Sequence, residues 1–383
     1  MGQLTGRDPS LLRRINSTVV LRALRSEVGR APLTLSDLAG ATGLSRPTVE
    51  GVVEGLLDAG LVAEAGEEPG EVRRGRPARR FRFRAEAGHA LGVEIGVHRV
   101  GTVLSDLTGR RAGTVVRGIG ESDGADERLT QTHEAVAELL RRTGVPHTSL
   151  RAVGVGTPGI VEADGTVRLG TALPGWTGLP LGERLRSFFR CPVLVDNDAN
   201  AAVLAESWQG AATGSEDVVM VLAGLSPGAG SMIGGRLHRG HGGAAGEIGA
   251  LHLLGREATP EHLLSTNGEP LHPLDEAAVA EVFARARGGD ERAARAMERF
   301  VHRLVHDVAA LVLALDPELV VVGGWAAGLD DVLEPLRREL ARCCLRPPRV
   351  ALSQLGGAAV ATGALRLALD QVESDLFSVG DED

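Results

Sequence analysis

The sequence predicts two unlike modules: an α+β winged helix-turn-helix domain over residues 1–86, then an α/β domain of two lobes over 87–383. Three observations carry this. Between Leu35 and Leu56 two short helical patterns flank a glycine turn. Just beyond them, the thirteen residues from Val72 to Arg84 hold seven arginines and no acid, in a chain of net charge −9. Such a local excess of fixed positive charge needs a polyanionic partner, and beside a helix-turn-helix that partner is duplex DNA. From Ala90 onward, apolar strand patterns alternate with helical ones, as layered α/β architecture requires.

In order along the first module, Val19, Val20, Leu21 and Leu24 stand at helical spacing within Asn16 to Ser26, with Asn16 or Ser17 near the cap. Thr34 and Asp37 form a capping-box-like start, and the short helix they open runs to about Thr42. Gly43 supplies the turn. Ser45 caps a third helix, with Pro47 in a first turn where a missing N–H costs nothing. Small Ala39 allows two helices to cross, while Leu44, Val49 and Val52 face inward. Ser45, Arg46, Thr48 and Glu50 then fall on the groove-facing start of a recognition helix. A plain structural bundle is the alternative for the helices, and a solvated linker for the arginines.

The wing favours the DNA reading of both. Leu61 to Ala63 and Phe81 to Phe83 read as its two strands, and Gly75, Arg76 and Pro77 make a flat cationic segment of the kind that enters a narrow minor groove. Arg73, Arg74, Arg76 and Arg79 are the candidate DNA contacts there. Glu67, Glu68 and Glu71 predict a wing tip that points away from DNA or is mobile.

Composition limits the rest. The length of 383 residues and 43% hydrophobic content suit two to three domains with a large core. Every basic residue is arginine, so no lysine ammonium is present for phosphate binding or Schiff-base chemistry. Residues 1–88 carry +3 and the remainder −12, so only the first module suits nucleic acid. Three cysteines, two of them the neighbours Cys343 and Cys344, argue against a disulfide framework and for a reducing cytoplasm. No signal-peptide core is present at the N-terminus, and no run approaches the ~20 apolar residues of a membrane span.

In the second module, Leu91 to Ile95, Gly101 to Leu104 and Thr114 to Val116 read as strands, followed by a helix around Leu129 to Arg142 and a strand from Leu150 to Val155. The theme repeats with Val193 to Val195, Val218 to Leu222, a long helix near Ala293 to Leu315, and Leu319 to Val322. Two lobes with a cleft between them follow from this repetition. Asp196, Asn197 and Asp198 come at the carboxyl end of an apolar strand and before a helical run from Ala199 to Trp208, the usual ligand edge of α/β folds. A carboxylate there accepts a hydroxyl proton, and an asparagine both donates to and accepts from hydroxyls. Helix capping is the plain alternative for Asn197 and Asp198. The glycines from Gly156 to Gly159 let backbone approach a ligand or make a structural turn.

Five ordered motifs, Val153 to Val161, Leu173 to Trp176, Val195 to Ala201, Ala245 to Gly249 and Asp316 to Gly324, resemble the ROK family of repressors and sugar kinases, and the winged module in front is similar to its repressor branch. The resemblance implies a two-lobed actin-like ATPase (ribonuclease H-like) fold, with a small lobe of about 87–205 plus a C-terminal helix and a large lobe of about 206–355. It also implies a sugar in the cleft, with Asp198 at the position of the catalytic base and Asn197 and Glu247 at sugar-contacting positions. Gly159 completes the candidate ligand set.

The family's phosphate chemistry is not retained. Kinases of the family carry Asp-x-Gly-Gly-Thr-Lys at the first phosphate loop, where this chain has Glu94 to Arg99, with Val97 in place of a glycine and no lysine. Arg99 can contact an anion, but reads more readily as a strand residue facing solvent. In the second loop Pro227 donates no amide, and Trp325 places bulk beside the expected adenosine position. Asp198 is therefore expected to be a vestigial base, with no enzyme activity and no cofactor. The family's zinc element is also missing: Ala250 takes the histidine place, no cysteine lies between Cys191 and Cys343, and His252, His262 and His272 lack ligand spacing, so no metal is expected.

The sequence thus predicts a cytoplasmic DNA-binding regulator of sugar metabolism, more readily a repressor than an activator. A sugar or sugar phosphate would control it, and a homodimer or dimer of dimers would read an imperfect palindrome. An ATP-dependent sugar kinase and a ligand-independent DNA-binding regulator are the rivals.

Overall fold

The computed structural model describes residues 9–65, 78–223, 227–249, 264–269, 276–324 and 330–377. The first module is built from α1 (Pro9–Ser26), β1 (Leu33–Thr34), α2 (Leu35–Thr42), α3 (Arg46–Asp58), β2 (Val62–Ala65) and β3 (Arg80–Phe83). Helix α1 begins well before Asn16. Leu12 and Ile15 in its first half are exposed, so the buried periodicity that marks the helix in the sequence begins only later.

Thr34 and Asp37 make both bonds of the capping box that opens α2, and Gly43 ends it in the left-handed region at φ 68°. Ser45 Oγ accepts the Thr48 amide to start α3. The wing sheet has three strands in the order β1-β3-β2, with Leu33 opposite Phe81 and Val62 opposite Phe83. Along β3, Phe81 and Phe83 enter the core formed by Val20, Leu21, Leu24, Leu38, Val49, Val53 and Leu56, while Arg82 points outward. That alternation explains how an arginine-rich segment pairs as a central strand.

The second module opens with β4 (His89–Ile95), β5 (Arg99–Asp106), β6 (Arg111–Gly118), α4 (Ala125–Thr143) and β7 (Leu150–Thr157). A short hairpin, β8 (Ile160–Val161) with β9 (Val167–Leu169), leads through α5 (Leu181–Arg186) to β10 (Val193–Asn197) and α6 (Asp198–Gln209). A second set follows: β11 (Val218–Leu222), β12 (Gly228–Ile233), β13 (Arg236–His238), α7 (Glu276–Arg287), α8 (Glu291–Leu315), β14 (Leu319–Gly323), α9 (Asp330–Cys343), β15 (Arg349–Leu352) and α10 (Ala359–Phe377).

The two five-stranded sheets share one topology. Their orders are β10-β7-β4-β5-β6 and β13-β12-β11-β14-β15, so each has an antiparallel meander whose first strand pairs in parallel with a fourth, which in turn pairs with a fifth. Helices α6 and α10 pack together between them, and α10 lies across β4 and β7. The approach is close enough to demand glycine: a Cβ added at Gly154 would stand 1.8 Å from the Ala364 carbonyl oxygen, and one at Gly363 would stand 1.6 Å from that of Ala201. Such packing ties the helix carrying Asp198 rigidly to α10.

Candidate ligand cleft and nucleic-acid face

The strand β10 delivers Asp196 and Asn197 to its carboxyl end beside Thr157 of β7, with which Asn197 is in register. Asn197 then caps α6: its Oδ1 accepts the amides of Ala199 (2.8 Å) and Asn200 (3.3 Å), and its Nδ2 donates to the Gly159 carbonyl (3.0 Å). The capping alternative for Asn197 is thus realised. Of the Asn197 amide protons, the one not given to Gly159 is what it can offer a ligand. Gly159 sits at φ 110°, and a Cβ there would approach the Leu169 carbonyl oxygen to 2.3 Å, so packing and turn geometry suffice to explain this glycine.

Asp198 occupies the first position of α6 and accepts the Ala199 amide at 2.8 Å. Burial pushes its carboxyl up to about 7, and the negative charges of Glu247 and Glu94 push in the same direction, against the Ala199 amide. Two predicted carboxylates, Asp198 and Glu247, and the unpredicted Glu94 are thereby drawn into one electrostatic group from distant parts of the sequence. At neutral pH Asp198 is poised between its two forms, able to accept a hydroxyl proton or to donate one.

The side opposite comes from the second sheet. After β13, Arg239 reaches across to the buried Asp196, donating Nε to Oδ2 at 2.7 Å, while Asp196 Oδ1 accepts from the Asn197 amide and from Asn200 Nδ2, each at 2.8 Å. Gly243 lies against the Val161 backbone. The run from Arg239 to Gly249, which carries Glu247, is thus fastened to β8 and the end of β10. Neither Arg239 nor its pairing with Asp196 was foreseen; an arginine before a glycine-rich loop gives no signal of which carboxylate it will meet. Trp176 is fully buried and donates Nε1 to Thr157 Oγ1 (2.9 Å), which places the Leu173 to Trp176 motif as a support behind β7.

The segment at the first phosphate loop is a tight connection in which the Gly96 amide donates to the Arg99 carbonyl at 2.9 Å. Arg99 opens β5, as expected, and its side chain remains 39% exposed, but it is also tied down: it donates Nε and Nη2 to Glu94 Oε1 (3.0 and 2.9 Å) and Nη2 to the Gly357 carbonyl (2.6 Å), binding this loop to the entry of α10. Burial raises the Glu94 pKa, and Arg99 opposes it.

Behind the loop, Arg128 is completely buried and donates to five carbonyls, those of Gly96 (2.7 Å), Val97 (2.9 Å), Gly120, Glu121 and Asp123. Burial lowers its pKa, and Asp123 opposes that. Arg128 was missed because it stands on the apolar stripe of a helix, where the pattern announces a hydrophobe. Pro227 precedes β12, whereas Gly224 to Ser226, Ala250, His252, His262, His272 and Trp325 lie outside the described residues.

On the winged module, Ser45, Arg46 and Glu50 are exposed at the start of α3, and Thr48 is half-buried with its hydroxyl bonded to Ser45 Oγ at 2.8 Å. Arg79 spans Glu54 of α3 (2.7 Å) and Glu64 of β2 (3.1 Å) and lies over the Phe81 ring, so it braces the wing base against α3. Arg73, Arg74 and Arg76 fall, with the tip glutamates, outside the described residues. No helix among the described residues is long and apolar enough to cross a membrane.

With two matching α/β sheets, a polar cluster at their strand ends and a winged helix-turn-helix in front, the chain has the architecture of a DNA-reading module joined to a sugar-kinase-like one. Residues 90–371 match the ROK family, and the chain belongs to it. It is 25% identical over 355 residues to a xylose repressor from Caldicellulosiruptor bescii, a match that covers 86% of this chain and 88% of the relative. Among solved structures, the ROK hexokinase from Thermus thermophilus matches with a TM-score of 0.60 at 28% identity, covering 75% of this chain and 99% of the hexokinase. A ROK family transcriptional regulator, described as a homologue of the E. coli MLC protein, shares the fold over 96% of this chain and 98% of its own, with a TM-score of 0.67 at 19% identity.

Proposed function

We propose that this chain is a sugar-responsive transcriptional repressor, in which the winged module binds duplex DNA and the cleft around Asn197, Asp198 and Glu247 holds the sugar effector. The observation that carries the reading is the joining of both parts in one chain along the length of a xylose repressor: the repressor match spans 86% of the chain, whereas the hexokinase covers 75%. The exposed start of α3, with Arg46, reads the major groove, while arginines of the wing hold phosphate. A sugar that binds one lobe arrangement better than the other shifts the population between DNA-competent and incompetent states. The protein acts as a dimer or dimer of dimers on an imperfect palindrome, in the cytoplasm.

A kinase reading has one observation in its favour, the Asp198 carboxyl at about 7, which suits a general base. Against it stand Val97 in the first phosphate loop and Arg99, whose guanidinium is committed to Glu94 and Gly357. ATP is accordingly not turned over, and Asp198 serves recognition.

The test uses DNA selected by the wild-type protein from a random-sequence pool, with D-xylose, D-glucose and N-acetyl-D-glucosamine as probes. At least one sugar should weaken DNA binding by roughly tenfold, and Asp198→Ala should abolish that response while leaving sugar-free DNA affinity near wild type. Sustained, Asp198-dependent ATP consumption with any of these sugars would restore the kinase.

A further inference from the structure

Helix α6 has the candidate ligand site at its first residue and Trp208 in its last turn, about 15 Å away at 1.5 Å per residue. Over the Trp208 ring lies the guanidinium of Arg366, 5.4 Å from the ring centroid and carried on α10. Arg366 binds Asp370 one turn along and donates Nη2 to Glu373 Oε2 at 3.2 Å. The other oxygen of the same carboxylate, Oε1, accepts Nη2 of Arg25 at 2.6 Å, and Arg25 belongs to α1 of the winged module. Arg22 and Arg25 both lie over the ring of Phe377 at the end of α10, 5.3 and 5.5 Å from its centroid. Arg25 and Glu373 are each largely covered, at 23% and 29% side-chain exposure, which screens the pair less than an open surface pair. Burial acts to raise the Glu373 pKa, but the two guanidinium groups outweigh it and hold it below the ordinary value.

We propose that Glu373 is the coupling bridge of this protein: by holding Arg366 with one oxygen and Arg25 with the other, it transmits displacement of α6 to the winged module. The proposal rests on the sensor reading above for what displaces α6. A shift of α6 carries Trp208, and the close backbone contact of Gly363 with Ala201 obliges α10 to move with it. Glu373 then has two discrete arrangements, one bonded to both arginines and one that keeps Arg366 on its own helix and releases Arg25. Two arrangements with different contacts are what a coupled equilibrium requires. Phe377 supplies the apolar half of the contact, since it belongs to the same buried cluster as Val20, Leu21 and Leu24 of α1.

The full chain is compared with Glu373→Gln, and with Asp375→Asn on the same helix as a control. The first measurement needs neither sugar nor DNA: amide hydrogen exchange over residues 12–28 should rise roughly fivefold in Glu373→Gln and stay at the wild-type level in the control. Unchanged exchange in Glu373→Gln overturns the bridge. The second uses the selected DNA and the sugar of the panel that binds wild type by calorimetry. Sugar Kd should be within twofold of wild type, whereas the roughly tenfold sugar-induced loss of DNA affinity should shrink below twofold.

A wild-type ratio in Glu373→Gln also overturns the bridge. If no sugar of the panel binds the wild-type protein, it is the sensor reading that fails, and the exchange result alone decides the bridge. Should Glu373→Gln fold poorly, Arg25→Gln removes the same bond from the winged side and must give both effects.

Discussion

Replacing Asp198 by asparagine tests the electrostatics of the cleft, because the substitution keeps shape and the bond from the Ala199 amide but removes the charge. A carboxyl whose pKa rises from 3.8 to about 7 is destabilising when ionised. At about 1.4 kcal/mol per pKa unit the cost to the folded state approaches ~4 kcal/mol. Asp198 is half-buried as a residue although its carboxyl points into the crowded cleft, and screening by the solvent that reaches it brings the expected effect to roughly 2 kcal/mol. The sign follows from the raised folded-state value. Below pH 3.8 both states are protonated and the penalty is absent; between 3.8 and about 7 the unfolded chain is ionised while the folded one holds its proton, so stability falls as pH rises; above about 7 the loss is complete.

Thermal unfolding of wild type and Asp198→Asn from pH 4 to 8, followed in the cleft-bearing module, measures this. The variant should match wild type near pH 4 and unfold about 4 °C higher at pH 8, taking roughly 2 °C per kcal/mol. Glu247→Gln should shift the wild-type transition to lower pH, since it removes one of the repelling charges. Parallel pH profiles for wild type and Asp198→Asn would refute the account of a half-buried, crowded carboxyl.

Arg128→Met leaves five carbonyls without their cation and should destabilise the protein by about 3–5 kcal/mol, read as a fall in the denaturant midpoint. Gly154→Ala and Gly363→Ala each force a methyl into backbone at under 2 Å, and both should lose soluble, cooperatively unfolding protein. Ser45→Ala removes the cap of α3 and should cost about 1 kcal/mol, seen as faster amide exchange in the first turn of α3. Arg46→Ala should relax sequence preference in the selected DNA, at a cost of about 1–3 kcal/mol if the side chain reads a guanine, and Arg76→Ala should weaken all sequences alike with a smaller salt slope.

The helices of the winged module, α4, α6, α8 and most strands follow from local rules that need only neighbouring residues, whereas α5, α7 and α9 were not read from the sequence. Thr34 with Asp37, Gly43, and Ser45 with Pro47 mark helix boundaries because capping and turn chemistry act within a few residues, and the structure places α2 and α3 at those boundaries. The long apolar strands are legible for the same reason, whereas β1, two residues long, is not: it exists because β3 offers it a partner. The grouping of Asp198, Asn197 and Glu247 came from the resemblance to the ROK family, and the charges of Glu247 and Glu94 act on Asp198 in the structure.

What the sequence by itself determined was the type and order of the long, strongly patterned elements and the identity of the polar residues after β10, since these depend on periodicity, caps and motif spacing, whereas short elements such as β1, β8, β9 and α5 gave no such signal. The tertiary structure alone decided the pairings. Arg239 with Asp196, Arg99 with Glu94 and Gly357, Arg128 with its five carbonyls, and Glu373 between Arg25 and Arg366 each join residues from separate elements. Every arginine carries the same charge and the same donors, so its residue type names no partner. Which carboxylate or carbonyl it meets, and whether solvent still reaches the pair, is set by how the two sheets and the helices between them pack.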